Sequence, residues 1–189
     1  VRAFARLIHD PPPNPDALGD SDKPQPGSLA LQEIARGVRS EMLLESAYLV
    51  LDDETLAHVE QLSTRGVSIR ALTNSLASND VTANHAAYAR RRKRMLKSGV
   101  KLYELRPDAA SCGRIIQNET ACGQNEAAGG KPHIFGLHAK TYVLDRRIVY
   151  VGSLNMNMRS RYLNTEAGLV IESPALAERI ANDIEINME

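Results

Sequence analysis

Apolar residues recur at two different spacings along this chain, and the alternation between those spacings predicts an α/β fold. Short continuous apolar stretches, which favour buried strands, occupy residues 42–51, 67–73 and 100–105. Helical spacing separates them at residues 53–63 and 83–97, where Arg65-Gly66 and Gly99 are typical of helix ends. Because strands that alternate with helices tend to pair in parallel, we predict a mixed, largely parallel sheet sandwiched by helices.

The flanking segments add further elements on both sides of this unit. A helical pattern begins at Ser28, which can cap it, and another begins at Pro174, since proline is favoured in a first turn. Residues 107–132 show no period, which predicts a long loop or insertion. More strands follow it at 137–144, 148–151 and 165–171, and the first two are joined by a tight turn at 145–147.

Length and composition restrict the domain count and the class of partner. A chain of 189 residues corresponds to one domain, and its proline-rich start predicts a linker or N-terminal extension over 1–28 before a domain at 29–189. The formal net charge of zero gives no whole-protein attraction to nucleic acid. Cys112 and Cys122 are too few for a disulfide scaffold, and a reduced pair and a local disulfide both stay open. No apolar run reaches the roughly 20 residues of a membrane-spanning helix.

The candidate chemistry lies in the segment that begins at His138. Alternate residues of a strand share a face, so His138 and Lys140 point the same way, and Gly152 allows a tight turn that brings Ser153 and Asn155 round as hydrogen-bond donors. These residue types suit a phosphodiester, because its two anionic oxygens need a cation and neutral donors. A neutral imidazole can also attack phosphorus, or pass a proton to and from an alcohol near pH 7. A carboxylate should orient that imidazole, and Glu166 and Asp145 are the candidates.

The spacing of these residues resembles a known family. The pattern His138-x-Lys140-x4-Asp145-x6-Gly152-Ser153-x-Asn155 looks like the HKD signature of the phospholipase D superfamily. The continuation through Arg159-Ser160 and Asn164-Thr165-Glu166 resembles the bacterial cardiolipin synthase branch, as does the stretch from Leu72 to Pro107. The resemblance covers roughly residues 29–187, and the chain looks like the second half of such an enzyme. Residues 45–50 depart from the amino-acid sequence that is usual at this place in synthases.

The resemblance implies an α/β/α fold in which two HKD halves share one active site. One histidine is then the nucleophile and the other the general acid, and no metal or cofactor is required. Carried over, His138 is one of the two histidines, Lys140, Ser153 and Asn155 bind the substrate phosphate, and Glu166 orients His138. The predicted catalytic set therefore contains, with Asp145 in a supporting role, His138, Lys140, Asp145, Asn155 and Glu166.

The leading functional hypothesis is a phosphatidyltransferase of the cardiolipin synthase type, acting through a phosphohistidine in phospholipid biosynthesis. Its expected partners are phosphatidylglycerol or a similar phospholipid, an anionic membrane surface, and a second HKD half from the same polypeptide or a homodimer. We expect a bacterial protein, peripheral at the cytoplasmic membrane, with the basic run from Arg90 to Lys97 as its contact surface. The alternatives are a phospholipase D-type phosphodiesterase, a homodimeric nuclease, and a non-catalytic half that completes a partner's site. Scattered tyrosines, the lack of tryptophan and zero net charge disfavour nucleic acid.

Overall fold

A computed structural model describes residues 3–12, 23–106 and 136–188 of the chain. Within these ranges seven strands are present: β1 (Phe4–His9), β2 (Glu41–Ser46), β3 (Ser68–Asn74), β4 (Val100–Leu105), β5 (Lys140–Leu144), β6 (Ile148–Gly152) and β7 (Ala167–Glu172). Five helices accompany them: α1 (Pro26–Arg36), α2 (Asp53–Thr64), α3 (Thr82–Lys97), α4 (Met158–Tyr162) and α5 (Pro174–Asn187). The predicted loop at 107–132, with Cys112 and Cys122, lies outside the described residues.

The strands form one mixed sheet in the order β1-β7-β6-β5-β2-β3-β4, which confirms the predicted α/β class. Strands β2, β3 and β4 are parallel, as the alternation with helices predicts. The other four described pairings are antiparallel, so parallel pairing covers less of the sheet than the sequence suggests. The reason is the hairpin from β5 to β6, which reverses the chain without a crossover helix.

Helices cover both faces of the sheet, and the sheet separates the hydrophobic core into two clusters. On one face, a larger cluster joins Leu44 and Tyr142 of the sheet to residues such as Leu31 of α1 and Val59 of α2. On the other face, Ala181 and its neighbours on α5 pack against Val143 and adjacent sheet residues. Consecutive residues of β5 therefore contribute to different clusters, and the alternation fixes which face carries each side chain.

The turn between β5 and β6 is held by the carboxylate of Asp145. Asp145 and Arg146 have φ angles of 50° and 48°, the left-handed conformation of the two central residues of a type I′ turn. Asp145 accepts hydrogen bonds from the backbone N–H groups of Arg39, Ser40 and Glu41, at 2.9, 2.7 and 3.1 Å. Burial raises the pKa of Asp145, but the bonds from Ser40, Arg39 and Glu41 outweigh it and leave the pKa below its ordinary value. The turn is thereby tied to the start of β2.

The N-terminal segment contains structure that the linker prediction for residues 1–28 missed. Phe4–His9 forms the edge strand β1 and pairs antiparallel with β7 along its whole length. The adjoining Asp10 is buried and accepts hydrogen bonds from the backbone N–H groups of Gly27, at 2.6 Å, and Glu166, at 2.9 Å. Helix α1 also begins earlier than predicted, at Pro26, without a side-chain cap. Strand β1 precedes the proline-rich stretch and pairs with a strand that is distant in sequence, so local composition does not predict it.

Candidate active site

Most of the predicted site residues meet at one end of the sheet. Lys140, the first residue of β5, lies opposite Ser46, the last residue of β2. Gly152, the last residue of β6, lies opposite Gly168 near the start of β7. Asn74 ends the parallel strand β3 at the same side. The carboxyl ends of strands are where open α/β sheets commonly bind ligands.

His138 precedes β5 and its side chain is exposed, so the imidazole is accessible to a substrate. The backbone around it is fixed, because its carbonyl accepts a hydrogen bond from Lys140 Nζ at 2.7 Å. The next carbonyl, of Ala139, accepts one from the Ala47 N–H at 3.1 Å. His138 borders a groove of about 410 Å³ that is also lined by Glu45 and Asp183.

Lys140 is a cation held at the edge of the core, with only 9% of its surface exposed. Burial lowers the pKa of its ammonium group, while the negative charges of Glu166 and Asp80 act to raise it. The ammonium group thus lies beside the backbone of His138, and the charges of Glu166 and Asp80 act on it. An ammonium group removed from bulk water in this way interacts more strongly with an anionic oxygen than an exposed lysine does.

Asn155 is positioned by two tyrosines beneath the turn that follows β6. The rings of Tyr142 and Tyr150 stack with centroids 5.2 Å apart. Tyr142 donates its hydroxyl to the Leu154 carbonyl at 2.5 Å, and Tyr150 accepts from the Leu154 N–H at 3.3 Å. Gly152 is required there, because a Cβ atom would lie 2.4 Å from the Tyr150 hydroxyl.

The Asn155 side chain faces the loop after β2. Its Oδ1 accepts a hydrogen bond from the Tyr48 N–H at 3.3 Å, and its backbone N–H donates to Ser160 Oγ at 3.2 Å. The residue is 9% exposed and also borders a small apolar cavity of about 80 Å³ beneath α1 and α2. An asparagine whose oxygen is already engaged presents its amide N–H groups as donors. This arrangement is compatible with contact to a phosphate oxygen.

Glu166 organises the loop and does not contact His138 in the described part of the chain. Its carboxylate accepts hydrogen bonds from Ser153 Oγ, from Ser160 Oγ at 2.7 Å and from Asn164 Nδ2 at 2.9 Å. The predicted bond from Glu166 to His138 is therefore not formed within this chain.

Ser153 is committed to the same network. Its hydroxyl donates to Glu166 and accepts from the Ala167 N–H at 3.0 Å. The Ser153 hydroxyl thus supports the loop in this structure, and its predicted contact with the substrate phosphate stays a prediction.

Asp145 lies at the opposite end of β5 from Lys140, apart from the other predicted catalytic residues and in keeping with the supporting role that the resemblance implies. Five residues of a strand span about 17 Å, too far for both side chains to act on one phosphorus. Its carboxylate is occupied by the backbone N–H groups of residues 39–41. Asp145 therefore has a structural role.

A sequence family described as "Cardiolipin synthase, PLD-like domain" matches residues 31–187, most of the chain. The chain belongs to this family. The family match runs from within α1 to the end of α5, so it includes every residue of the candidate site and leaves only β1 of the sheet outside.

Two longer proteins named as cardiolipin synthases are similar in sequence to this chain. Cardiolipin synthase C of Escherichia coli K12 is 39% identical over 183 residues, which are 95% of this chain but 36% of that protein. Cardiolipin synthase A of Buchnera aphidicola subsp. Schizaphis graminum is 22% identical over 152 residues, which are 80% of this chain and 25% of that protein. The chain thus spans about a third of the length of its E. coli relative.

Solved structures share the fold. Nuc of Salmonella typhimurium, a phospholipase D family member, has a TM-score of 0.60 at 16% identity and matches 98% of this chain and 94% of its own. A phosphatidylserine synthase of Haemophilus influenzae Rd KW20 has a TM-score of 0.62 at 14% identity, over 99% of this chain and 40% of its own. At these identities the likeness establishes the phospholipase D-like fold.

Several residues at the site do not belong to the HKD motif, and the sequence did not predict them. The Tyr48 hydroxyl donates to Asp80 Oδ1 at 2.9 Å, which brings the segment before α3 to the side of Lys140. Asn74 and Ser46 bind backbone groups of the two loops that carry His138 and Asn155. Polar residues at the ends of β2 and β3 were the signal that was available in the sequence.

No group of three or more histidine, cysteine, aspartate or glutamate residues suited to a metal ion occurs among the described residues. Likewise, no helix in the described ranges is long and apolar enough to cross a membrane.

Proposed function

We propose that this chain is the second half of a phosphatidyltransferase of the cardiolipin synthase type, which exchanges phosphodiesters in phospholipid biosynthesis. The observation that carries the proposal is the set of His138, Lys140 and Asn155 at one sheet end, in a chain of the cardiolipin synthase family. An accessible imidazole, together with a partly desolvated cation and an amide donor, suits attack on a phosphodiester.

The proposed reaction has two steps. In the first, an imidazole nitrogen attacks phosphorus, a P–N bond forms, and the P–O bond to the leaving alcohol breaks. A second imidazole gives its proton to that alkoxide. In the second step, the hydroxyl of an acceptor lipid attacks the phosphorus of the phosphohistidine, so that a new P–O bond forms and the P–N bond breaks, and its proton passes to the second imidazole. Lys140 and Asn155 would stabilise the negative oxygens on phosphorus throughout.

This scheme needs two histidines, and the chain carries one HKD motif. We therefore propose that a second half, from the same polypeptide or a second copy, completes the site. An exposed apolar row next to the site supports this proposal: Leu7, Leu169 and Val151 lie opposite one another on β1, β7 and β6 and are 60%, 44% and 43% exposed. Exposed contiguous apolar residues commonly mark protein interfaces.

Membrane contact is proposed to be peripheral and electrostatic. On α3, Arg91 and Arg94 pair with Asp53, and Arg92 pairs with Glu104, so part of the basic run is internally neutralised. The remaining cations, Arg90, Lys93 and Lys97, are exposed and recur at helical spacing along one face. Each would contribute about 1 kcal/mol at an anionic lipid surface.

The test is to incubate the intact protein that contains this chain with phosphatidylglycerol vesicles, and separately with a DNA substrate. Formation of cardiolipin is expected, detected by mass spectrometry and slowed by roughly 10²-fold or more in Lys140→Ala. Release of phosphatidic acid alone would make the protein a hydrolase, and cleavage of DNA alone a nuclease. Inactivity of a folded protein toward both would indicate a non-catalytic half.

A further inference from the structure

The residue before His138 is held by a side chain where a neighbouring strand would ordinarily hold it. Asn74 Oδ1 accepts a hydrogen bond from the Leu137 N–H at 2.7 Å, and Asn74 Nδ2 donates to the Leu137 carbonyl at 2.9 Å. The same Nδ2 donates to the Ala47 carbonyl at 3.2 Å. Asn74 is 2% exposed, so water does not replace these bonds readily. Its carboxamide thus satisfies both backbone groups of Leu137, as a strand neighbour would.

The segment that Asn74 holds is fixed on both sides of His138, although it precedes the first residue of β5. The His138 carbonyl accepts from Lys140 Nζ, and the Ala139 carbonyl accepts from the Ala47 N–H. Gly136 approaches the Ser78 carbonyl so closely that a Cβ atom there would lie 2.6 Å from the oxygen. The Asn74 bonds are the only side-chain bonds to Leu137 in the described ranges, and Leu137 is adjacent to the reacting group.

We propose that Asn74 is a positioning residue for His138, which sets the direction of its imidazole without touching the substrate. Only a carboxamide of this length supplies the acceptor for the Leu137 N–H and the donor for the two carbonyls. Aspartate has the same shape, but it has no N–H group and would set an oxygen against both carbonyl oxygens. The reaction that depends on this geometry rests on the proposed function, whereas the geometry itself does not.

The test compares Asn74→Asp and Asn74→Ser with the control Thr73→Val in the intact protein. Thr73 is equally buried and donates its hydroxyl to the same Ala47 carbonyl at 3.3 Å, but it makes no bond to Leu137. Misplacement of a reacting group by about 1 Å costs up to roughly 10²-fold, so both Asn74 variants should lose about 10- to 100-fold in kcat. Their KM should change little, and Thr73→Val should keep a kcat near that of the wild type.

A second readout does not need activity. The ring-proton NMR resonance of His138, assigned with His138→Gln, should shift in both Asn74 variants and stay in place in Thr73→Val. If neither lipid nor DNA is turned over by the wild type, the proposed function fails while this resonance still tests the position of His138. An unshifted resonance in Asn74→Ser overturns the inference, whatever becomes of the Asp variant. So does a kcat in the Asn74 variants that equals that of Thr73→Val.

Discussion

The two charged residues of the motif, Lys140 and Asp145, have different roles in the molecule. Lys140 is a desolvated cation at the site, and Asp145 anchors a turn at the far end of the same strand. Lys140→Ala should therefore lower turnover by roughly 10²-fold or more, as loss of one oxyanion donor does. Asp145→Asn should leave most turnover intact and lower the thermal unfolding temperature, because it weakens charge-assisted bonds to three backbone N–H groups. Steady-state kinetics and thermal unfolding of both variants test this, and a reversed order of the effects would contradict it.

The role of His138 follows from what its removal leaves behind. If His138 is the general acid, His138→Ala in the intact protein should still release a nitrophenol burst from a p-nitrophenyl phosphodiester. That leaving group needs no proton, so the phosphohistidine can still form on the other half. Lys140→Ala is the control that should suppress the burst in either case. Loss of the burst and of all phosphohistidine labelling in His138→Ala would make His138 the nucleophile.

At the scale of elements, the sequence predicts best what local spacing determines. The bounds of β4 agree with the predicted range 100–105, and α2 and α3 end beside Gly66 and Gly99, whose φ angles of 88° and 95° require such a residue. Strand β1 was not predicted, because its register is supplied by β7, more than a hundred residues away. The contact of Asn74 with Leu137 escapes sequence analysis for the same reason, since 63 residues separate them.

The contact between β2 and α5 should make stability depend on pH. Burial raises the pKa of Glu45 from its ordinary 4.5 to about 7; a hydrogen bond with Asn187 lowers it, and the charge of Asp183 raises it. The folded protein therefore binds more protons than the unfolded chain between these values. This contribution to stability is complete at low pH and is lost as the pH rises through about 7.

Replacing Glu45 by glutamine should remove that dependence. Glu45→Gln is expected to be about as stable as the wild type at pH 5 and more stable than it at pH 8. Urea unfolding at both pH values measures the difference, with Glu172→Gln at an exposed ion pair as the control. The same fall in stability from pH 5 to pH 8 in Glu45→Gln and in the wild type would refute this expectation.

Helix α3 should determine membrane contact. Binding of the intact protein to vesicles should require anionic lipid and weaken with added salt, because it depends on exposed charges. Lys93→Glu should lower binding by roughly tenfold or more, since it changes the local charge by two units. Arg179→Glu on α5, at the other face of the sheet, makes the same change of charge and should have little effect. Salt-independent binding to neutral vesicles would point to a hydrophobic anchor instead.

At the scale of the whole molecule, activity should follow the number of HKD halves present. We expect residues 1–189 to have weak or no turnover as a monomer, since one imidazole does not serve as nucleophile and acid in the same step. A symmetric dimer, or addition of the other half, should restore it. Light scattering alongside the assay identifies the active species. Full turnover by a demonstrated monomer of these residues would rule out the two-half scheme.

The distance between Lys140 and Asp145 also has a consequence for which residues such proteins lose in evolution. In a gene released from selection for turnover, loss of Lys140 or His138 removes at most one side-chain bond to a backbone carbonyl, whereas loss of Asp145 removes the bonds to three backbone N–H groups at the start of β2. Asp145 should therefore outlast its motif neighbours for as long as the folded protein is still of use to the cell. Among descendants of this chain, one that keeps the aspartate but not the lysine would be an inactive homologue in which only the folded structure is still under selection.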